Sequence, residues 1–279
     1  MPIDISVVIP TFRRPKLLGK AIASVLGQRN VEVEVLVVDD SPEGSAQESV
    51  EGLRDTRVRY LKNPEPSCGF PSVVRNLGWP LARGAFVHFL DDDDLVPEGH
   101  YSTVKAVLLA HCDIGVVFGR IEPFGDAPEA QMCHERFFFY DAARRASICR
   151  RFGPRLAFTA CMIFGRTLLV CGAAVVRREC VQRLGGFDPL IRLGEDVDFF
   201  GRAIREFGAN FIDEVALCYH IGSPSLMHAP KLEERDMQQH REGVRRMHDK
   251  YRAERGAREF YVMKGFSRLL LSPYLSIIK

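Results

Sequence analysis

Four consecutive carboxylates, residues 91–94, directly follow the apolar run "AFVHFL". Four adjacent negative charges repel one another, so the chain must solvate or neutralise them. Carboxylate oxygens are preferred ligands of Mg²⁺ and Mn²⁺, which proteins commonly share with the phosphates of a substrate. The run therefore predicts a site for Mn²⁺ or Mg²⁺ together with a phosphate-bearing ligand, and a solvated turn is the alternative.

The first hundred residues contain the elements that must position these acids. Short strand-like runs alternate there with helical patterns, in which apolar residues recur every three to four positions. This alternation predicts an α/β fold with right-handed βαβ units and a mostly parallel central sheet. The strand-like runs are "ISVVI", "VEVLVVDDS", "RVRYLKN" and "AFVHFL".

Polar clusters follow three of these predicted strands. Pro10 and Thr11 follow the first, Asp40 lies after the second, and the acidic run follows the fourth. Ligands of parallel sheets bind at the carboxyl ends of the strands. A turn or a helix cap would explain one such cluster, but three on one edge favour a binding site.

The sequence contains neither GxGxxG nor GxxxxGK[ST], the glycine-rich patterns that cradle phosphates. We therefore expect a nucleotide-binding sheet in which a metal, rather than a glycine-rich loop, holds a diphosphate.

The composition limits the partners and the compartment. A net charge of +2 gives no strong attraction to nucleic acid, so we expect no nucleic-acid partner. The eight cysteines form no CxxC pair, and the chain opens without the basic region of a signal peptide. Reduced thiols and a cytoplasmic location are expected. Arg166 lies near the centre of the longest apolar stretch, residues 158–176, which argues against a membrane span.

The end of the chain has a different character. Residues 229–279 are predicted to form a basic helical extension, and residues 264–279 combine apolar side chains with flanking Lys and Arg, as an interfacial helix does. The arginine-rich segment 136–155 could meet the same anionic surface. The extension allows three interpretations: peripheral contact with the inner membrane face, packing on the catalytic domain, or a homodimer contact.

Four stretches together resemble glycosyltransferase family 2, whose members are inverting enzymes with the A-type glycosyltransferase fold. The resemblance covers roughly residues 3–225. It implies a single Rossmann-like domain with a nucleotide-sugar-binding half (1–100) and an acceptor-side half (101–228), followed by the helical extension (229–279). The stretches are "SVVIPTFRRPKLLGKAIASVLGQ", "VEVLVVDDSPEG", "VRNLGWPLARGAFVHFLDDDDLVP" and "GGFDPLIRLGEDVDFFGRAIREFG".

The resemblance also implies roles for residues on the donor side. Pro10 and Thr11 would lie along the nucleoside, and Asp40 would accept a hydrogen bond from the base. Arg75 would lie near the nucleotide. The run at 91–94 would supply the family's Asp-x-Asp motif, in which Asp91 and Asp93 are the two acids. Asp93 would bind the metal, with Asp91 in the same metal site, while Asp91 and Asp92 would face the ribose and the metal-bound waters.

On the acceptor side, Asp196 in "GED" matches the catalytic base and Glu195 is its neighbour. The alternative for both is a favourable position of acids at a helix N-terminus. His220 would be a metal or diphosphate ligand, as in some relatives, or a packing residue.

The resemblance therefore implies a metal-dependent transfer of sugar from a nucleotide-diphosphate sugar, with UDP-sugar favoured. The expected acceptor is a saccharide or lipid-linked hydroxyl group in polysaccharide or glycolipid biosynthesis. A cation stabilises the leaving diphosphate, and a carboxylate takes the proton of the acceptor. One alternative is a nucleotidyltransferase acting on a sugar phosphate, for which "PTFRRPKLLG" is a poor match. The other is a non-catalytic nucleotide-sugar-binding module, which would be favoured if "GED" lay far from the acidic run.

Overall fold

The computed structural model describes residues 2–67, 69–222 and 234–271. Its centre is a seven-stranded sheet of order β3-β2-β1-β4-β6-β5-β7, in which only β6 runs antiparallel to its neighbours. The predicted α/β fold with a mostly parallel sheet is confirmed. The strands are β1 Ile5–Thr11, β2 Val33–Asp39, β3 Val58–Lys62, β4 Phe86–Phe89, β5 Val116–Phe124, β6 Ala174–Arg177 and β7 Ala209–His220.

Helices connect the strands and pack beside the sheet, and several of them begin at a proline, a glycine or an acid. Pro15 opens the first helix, which buries Leu18, Ile22 and Val25 against the sheet. The helices are α1 Pro15–Leu26, α2 Gln47–Glu51, α3 Pro71–Gly78, α4 His100–Ala110, α5 Glu129–Arg151, α6 Pro154–Phe164, α7 Arg178–Leu184, α8 Glu195–Phe207 and α9 Glu234–Leu270.

Three local features show where the sequence patterns were sufficient and where they were not. Helix α3 ends at Gly78, and the chain continues as a 3₁₀ turn over Trp79–Leu81, because Pro80 has no N–H with which to continue the α-helix. Strand β5 extends to Phe124 and α5 starts at Glu129, so only residues 125–128 connect them although Gly and Pro are frequent in this stretch. Strand β7 had no prediction. Acids interrupt its apolar pattern, and it forms by pairing with β5 across an irregular register.

Helix α9 packs on the domain as part of its core. It buries Met247, Tyr251, Phe260 and Met263, and Gly256 interrupts the helix with a φ of 83°. The described part of the extension, which ends at residue 271, therefore packs on the rest of the domain. The remaining residues of the predicted interfacial segment, 272–279, lie outside the described residues. Within the described ranges, no helix combines the length and the hydropathy needed to cross a bilayer.

Candidate active site

The carboxyl ends of β1, β2 and β4 lie side by side. The backbone N–H of Asp40 donates to the carbonyl of Thr11 at 2.9 Å. The hydroxyl of Thr11 donates to Asp92 Oδ2 at 2.7 Å, which ties the end of β1 to the acidic run. Pro10 is half-buried one position earlier, opposite Val38 of β2. The three polar clusters that the sequence places on one edge are thus brought together.

The four acids form a turn that sends their side chains into different surroundings. The N–H of Asp94 donates to the carbonyl of Asp91 at 3.2 Å and closes the turn. Asp91 is the most accessible, with 38% of its side chain exposed. Asp94 is buried, and its Oδ1 accepts the backbone N–H of His220 at 2.8 Å. Asp94 therefore fixes the end of β7 against the acidic run.

Two arginines neutralise the outer acids. Arg14 Nη1 lies 2.8 Å from Asp93 Oδ2 and 3.4 Å from Asp92 Oδ1. Arg75 Nη2 lies 2.7 Å from Asp91 Oδ1. Arginine side chains of the protein therefore neutralise part of the acidic charge. Neither of the two alternatives predicted from the sequence, a solvated turn or a metal site, included this pairing.

The balance is incomplete. Burial raises the pKa of Asp92 to about 7, and the charges of Asp93 and Asp91 add to the shift. Burial raises the pKa of Asp93 and of Asp94 as well. In addition, Asp94 Oδ2 is buried without a hydrogen-bond partner among the described atoms. The cluster thus favours further positive charge, which is the property expected of a cation site.

Arg75 joins the acidic run to the "GED" segment. Its side chain is buried, and its second nitrogen, Nη1, lies 2.7 Å from Glu195 Oε1. The ring of Phe187 covers the guanidinium, with 5.4 Å between Cζ and the ring centroid. Because one rigid, fully charged group contacts both Asp91 and Glu195, the two acidic segments share one site. Contact of Arg75 itself with a nucleotide remains a prediction.

Glu195 and Asp196 begin α8, directly after Gly194, whose φ is 83°. Burial raises the pKa of Glu195 to about 7, although Arg75 opposes the shift. Asp196 is half-buried, and its Oδ1 accepts the N–H of Val197 at 2.8 Å. Burial also raises the pKa of Asp196, again against the effect of Arg75. Glu195 is engaged in an ion pair, so Asp196 is the better placed of the two to accept a proton.

His220 lies at the end of β7, across a cavity of about 250 Å³ from Asp93. Its Nδ1 atom is buried and has no hydrogen-bond partner among the described atoms, an arrangement that is costly unless a ligand reaches it. Over 2–67, 69–222 and 234–271, no three His, Cys, Asp or Glu side chains form a metal site alone. Mg²⁺ and Mn²⁺ need only one or two protein ligands when phosphates supply the rest. Asp93 and His220 therefore fit a cation that is shared with a diphosphate.

Asp40 is buried at the end of β2, and donors from the loop after β3 occupy both of its oxygens. Asn63 Nδ2 and the N–H of Ser67 donate to Oδ1 at 2.7 and 2.8 Å. The hydroxyl of Ser67 and the N–H of Gly69 donate to Oδ2 at 2.9 and 3.2 Å. Asp40 thus orders this loop at the carboxyl edge of the sheet, and its contact with a base remains a prediction.

Sequence reasoning missed Arg14 and the cations of α9. Arg14 carried a usable signal, because it directly follows the first strand end and four acids on that edge require counter-charge. Lys250 carried none. It contacts Asp188 Oδ2 at 3.0 Å and Asp198 Oδ2 at 3.2 Å, over more than fifty residues of sequence.

A mostly parallel sheet with acids at its carboxyl edge and a second acidic pair beside them defines an α/β protein of the A-type glycosyltransferase architecture. Residues 6–184, more than half of the chain, match the sequence profile described as Glycosyl transferase family 2. The chain belongs to this family.

Solved structures share the fold. Staphylococcus aureus TarS 1–349 in complex with UDP-GlcNAc superposes with a TM-score of 0.68 at 17% identity, over 99% of this chain and 73% of that chain. The complex of the same protein with UDP gives 0.57 at 18% identity, over 90% and 73%. At these identities the likeness concerns the fold.

Two curated relatives are similar to this chain, one over a short segment and one over most of its length at lower identity. The GalNAc(5)-diNAcBac-PP-undecaprenol beta-1,3-glucosyltransferase of Campylobacter jejuni is 39% identical over 102 residues, which is 36% of this chain and 33% of the relative. The putative colanic acid biosynthesis glycosyl transferase WcaA of Escherichia coli K12 is 26% identical over 81% of this chain and 76% of its own length. The first alignment thus spans about a third of the Campylobacter protein.

Proposed function

We propose that this protein is a metal-dependent inverting glycosyltransferase that moves a sugar from a nucleotide-diphosphate sugar to a hydroxyl acceptor. The observation that carries the proposal is the ion-pair bridge of Arg75, because it puts an acidic cluster suited to a diphosphate-bound cation beside a carboxylate suited to deprotonate an acceptor. A non-catalytic binding module has no need of this second group. A nucleotidyltransferase is disfavoured by the family.

On the donor side, the residues at 91–94 would hold the leaving diphosphate through a divalent cation. Asp93 and His220 are the residues proposed to bind Mn²⁺ or Mg²⁺, with Asp91 and Asp92 facing the ribose and the waters of the cation. The cation, when bound, would stabilise the charge that develops on the departing diphosphate. Arg75 keeps Asp91 in place, and Pro10 and Thr11 line the nucleoside.

On the acceptor side, Asp196 is the proposed general base, and Glu195 is held beside it by Arg75. As the acceptor oxygen bonds to the anomeric carbon, the bond from that carbon to the phosphate oxygen breaks and the acceptor proton passes to Asp196. Its raised pKa makes Asp196 a stronger base than an exposed aspartate. Attack opposite the leaving group inverts the anomeric carbon without a covalent sugar–enzyme intermediate.

UDP-sugar is the proposed donor class. TarS, which shares the fold, is described in complexes with UDP-GlcNAc and with UDP. Asp40, at the end of β2, is the proposed acceptor of the imino N–H of the base. In that role one of its four present donors from the loop after β3 must give way to the base.

The proposed acceptor is a saccharide or a lipid-linked sugar, in keeping with the names of the Campylobacter and Escherichia relatives. Helix α9 offers a surface for a bilayer. Its outward stripe, defined as Arg258, Tyr261, Val262, Arg268 and Leu269, is exposed at helical spacing and carries two cationic and three apolar side chains. We assign this stripe to an anionic inner membrane face, with the protein otherwise in the cytoplasm.

The metal requirement is tested with Asp93→Ala. A thermal-shift panel of UDP, GDP, dTDP and CMP compounds, with and without Mn²⁺, identifies the donor class, since ligands that bind the native state raise the melting temperature. With that donor, Asp93→Ala should remove most of the turnover, because the diphosphate loses its charge partner. Asp113→Ala is the matched control, since this exposed acid lies in the turn before β5, at the opposite edge of the sheet.

Full turnover in EDTA would contradict the metal requirement. A product that keeps the donor's anomeric configuration would contradict the inverting mechanism.

A further inference from the structure

The guanidinium of Arg14 lies on the acids that the proposed function gives to the cation and the diphosphate. It is 2.8 Å from Asp93 Oδ2, and the side chains of Asp92 and Asp93 are only 7% and 14% exposed. The Arg14 side chain is itself 32% exposed. A partly solvated cation therefore serves as counter-charge to two largely buried carboxylates.

The backbone aims Arg14 at this position. Arg13 has a φ of 58°, in the left-handed region that a side chain with a Cβ rarely adopts. Arg13 turns away and pairs with Glu43, at 2.7 Å between Nε and Oε1. Arg14 directly precedes Pro15, the first residue of α1, and its carbonyl accepts the N–H of Leu18. The turn thus separates two neighbouring arginines: Arg13 pairs with Glu43, and Arg14 pairs with the acidic run.

Arg14 and a divalent cation compete for the same carboxylate. Asp93 Oδ2 cannot contact both a guanidinium and a metal ion without bringing two positive charges together in a partly buried site. When a nucleotide diphosphate arrives with the cation, it adds negative charge beside the acids. A guanidinium is well suited to phosphate oxygens because its planar donors can contact two of them at once.

We propose that Arg14 is a built-in counter-cation: it occupies Asp92 and Asp93 in the free protein, leaves them when a divalent cation binds, and then pairs with the diphosphate of the nucleotide. The inference rests on the proposed function for the identity of the ligands. It assigns Arg14 a positioning role at the acidic run and a binding role toward the diphosphate.

The proposal predicts that loss of the Arg14 charge changes the affinities for Mn²⁺ and for UDP in opposite directions. Removing the Arg14 charge should help Mn²⁺ bind alone, because no cation then has to be displaced. The same change should weaken binding of UDP to the Mn²⁺-loaded protein, because a phosphate partner is lost. A purely structural salt bridge would instead weaken both or change neither.

The experiment uses the full chain with Arg14→Gln, which keeps a long polar side chain without the charge. Arg13→Gln is the matched control in the same turn. Mn²⁺ alone is titrated by the electron paramagnetic resonance signal of the free ion, and UDP is titrated by calorimetry at saturating Mn²⁺. For Arg14→Gln we expect Mn²⁺ affinity to rise and UDP affinity to fall, each by about tenfold, the scale of one hydrogen bond to a charged group. Arg13→Gln should match the wild type.

Equal Mn²⁺ affinity in the wild type and Arg14→Gln would overturn the inference, as would a loss of affinity for both ligands or the same shifts in Arg13→Gln. Absence of Mn²⁺ binding in every variant would overturn the inference together with the metal-dependent mechanism. If the opposite shifts are found but no nucleotide-sugar is turned over, the inference stands and the proposed transferase activity falls.

Discussion

The acidic run at 91–94 and the acidic pair Glu195 and Asp196 meet at Arg75, but different parts of the chain hold them. Partners from the first hundred residues hold most of the run, namely Thr11, Arg14 and Arg75. Arg75 also holds Glu195, and cations of α9 contact Asp188 and Asp198 on either side of the pair. The acidic run is therefore held largely by neighbouring βα units, whereas the segment around the acidic pair also depends on a distant helix.

Contacts of α9 bracket the acidic pair. Lys250 bonds to Asp188 and Asp198, which lie before and after the pair, and Arg246 Nε bonds to Asp188 Oδ2 at 2.9 Å. Gly243 lies so close to the intervening segment that an added Cβ would stand 2.9 Å from the carbonyl of Leu193. Helix α9 thus belongs to the frame that orients Asp196, besides carrying the outward stripe.

The largest expected effect is on turnover, and it comes from a substitution in the acidic pair that should leave nucleotide binding at the acidic run unchanged. Asp196→Asn keeps the shape of the side chain and removes the base, so turnover should fall by about two to four orders of magnitude. UDP affinity should stay within error of the wild type, because the proposed nucleotide contacts belong to the donor edge. Turnover and calorimetric UDP binding are the measurements.

The control is Asp213→Asn, an acid of β7 whose side chain is 72% exposed, and it should leave both quantities unchanged. Near-normal turnover of Asp196→Asn would remove this residue from the role of base.

The same contrast explains what could be predicted from the sequence. The strands β1, β2 and β4 are short apolar runs that end in polar residues, so their shared edge follows from the rule for parallel sheets. Asp196 and Glu195 were found through a resemblance, because acids at a helix start are also common without function. Lys250 could not be found, since its two partners lie more than fifty residues away and no sequence pattern links them.

Strand β7 was missed for a related reason. Exposed acids interrupt its apolar alternation, and its pairing with β5 has register shifts between residues 118 and 121. It becomes a strand because its backbone pairs with the free edge of β5, a tertiary interaction that the local sequence does not encode. The position of His220 opposite Asp93 depends on that pairing and was not available before the fold was known.

The next prediction tests whether α9 stabilises the acceptor side independently of its outward stripe. Leu270 is 6% exposed and Leu269 is 59% exposed, so the two neighbours form a matched pair. Leu270→Ala should lower the free energy of unfolding by about 2–4 kcal/mol through loss of buried apolar contacts. Leu269→Ala should change it by less than about 0.5 kcal/mol. Urea unfolding of both variants measures the difference.

Vesicle sedimentation gives the second readout of this pair. Leu269→Ala should weaken binding to vesicles that contain phosphatidylglycerol, because the stripe loses an apolar group that would enter the interface. Unchanged binding would remove the stripe from membrane contact. A concentration-dependent loss of dimer in the same variant would assign the stripe to a second copy of the chain instead.

The smallest effect concerns the clamp, defined as the contacts of Arg246 and Lys250 of α9 with Asp188, which lies before the acidic pair. Burial alone would raise the pKa of Asp188, but hydrogen bonds from Arg246, the N–H of Leu190 and Lys250 outweigh it and lower the pKa to about 2. A carboxylate with a lowered folded-state pKa contributes stability above its unfolded value near 4. That contribution is lost as the pH falls from about 4 to about 2. Asp188→Asn cannot titrate, so the stability gap between it and the wild type should shrink by about 1–2 kcal/mol across this window.

Urea unfolding of both proteins at half-unit steps from pH 2 to pH 6 measures the gap, and all other acids cancel in the difference. Above about pH 5 the gap should be constant. A gap that does not change between pH 4 and pH 2 would mean that Arg246 and Lys250 do not stabilise the ionised form of Asp188. Helix α9 would then be held by apolar packing such as that of Leu270, and the acidic pair would owe its position to Arg75 rather than to the clamp.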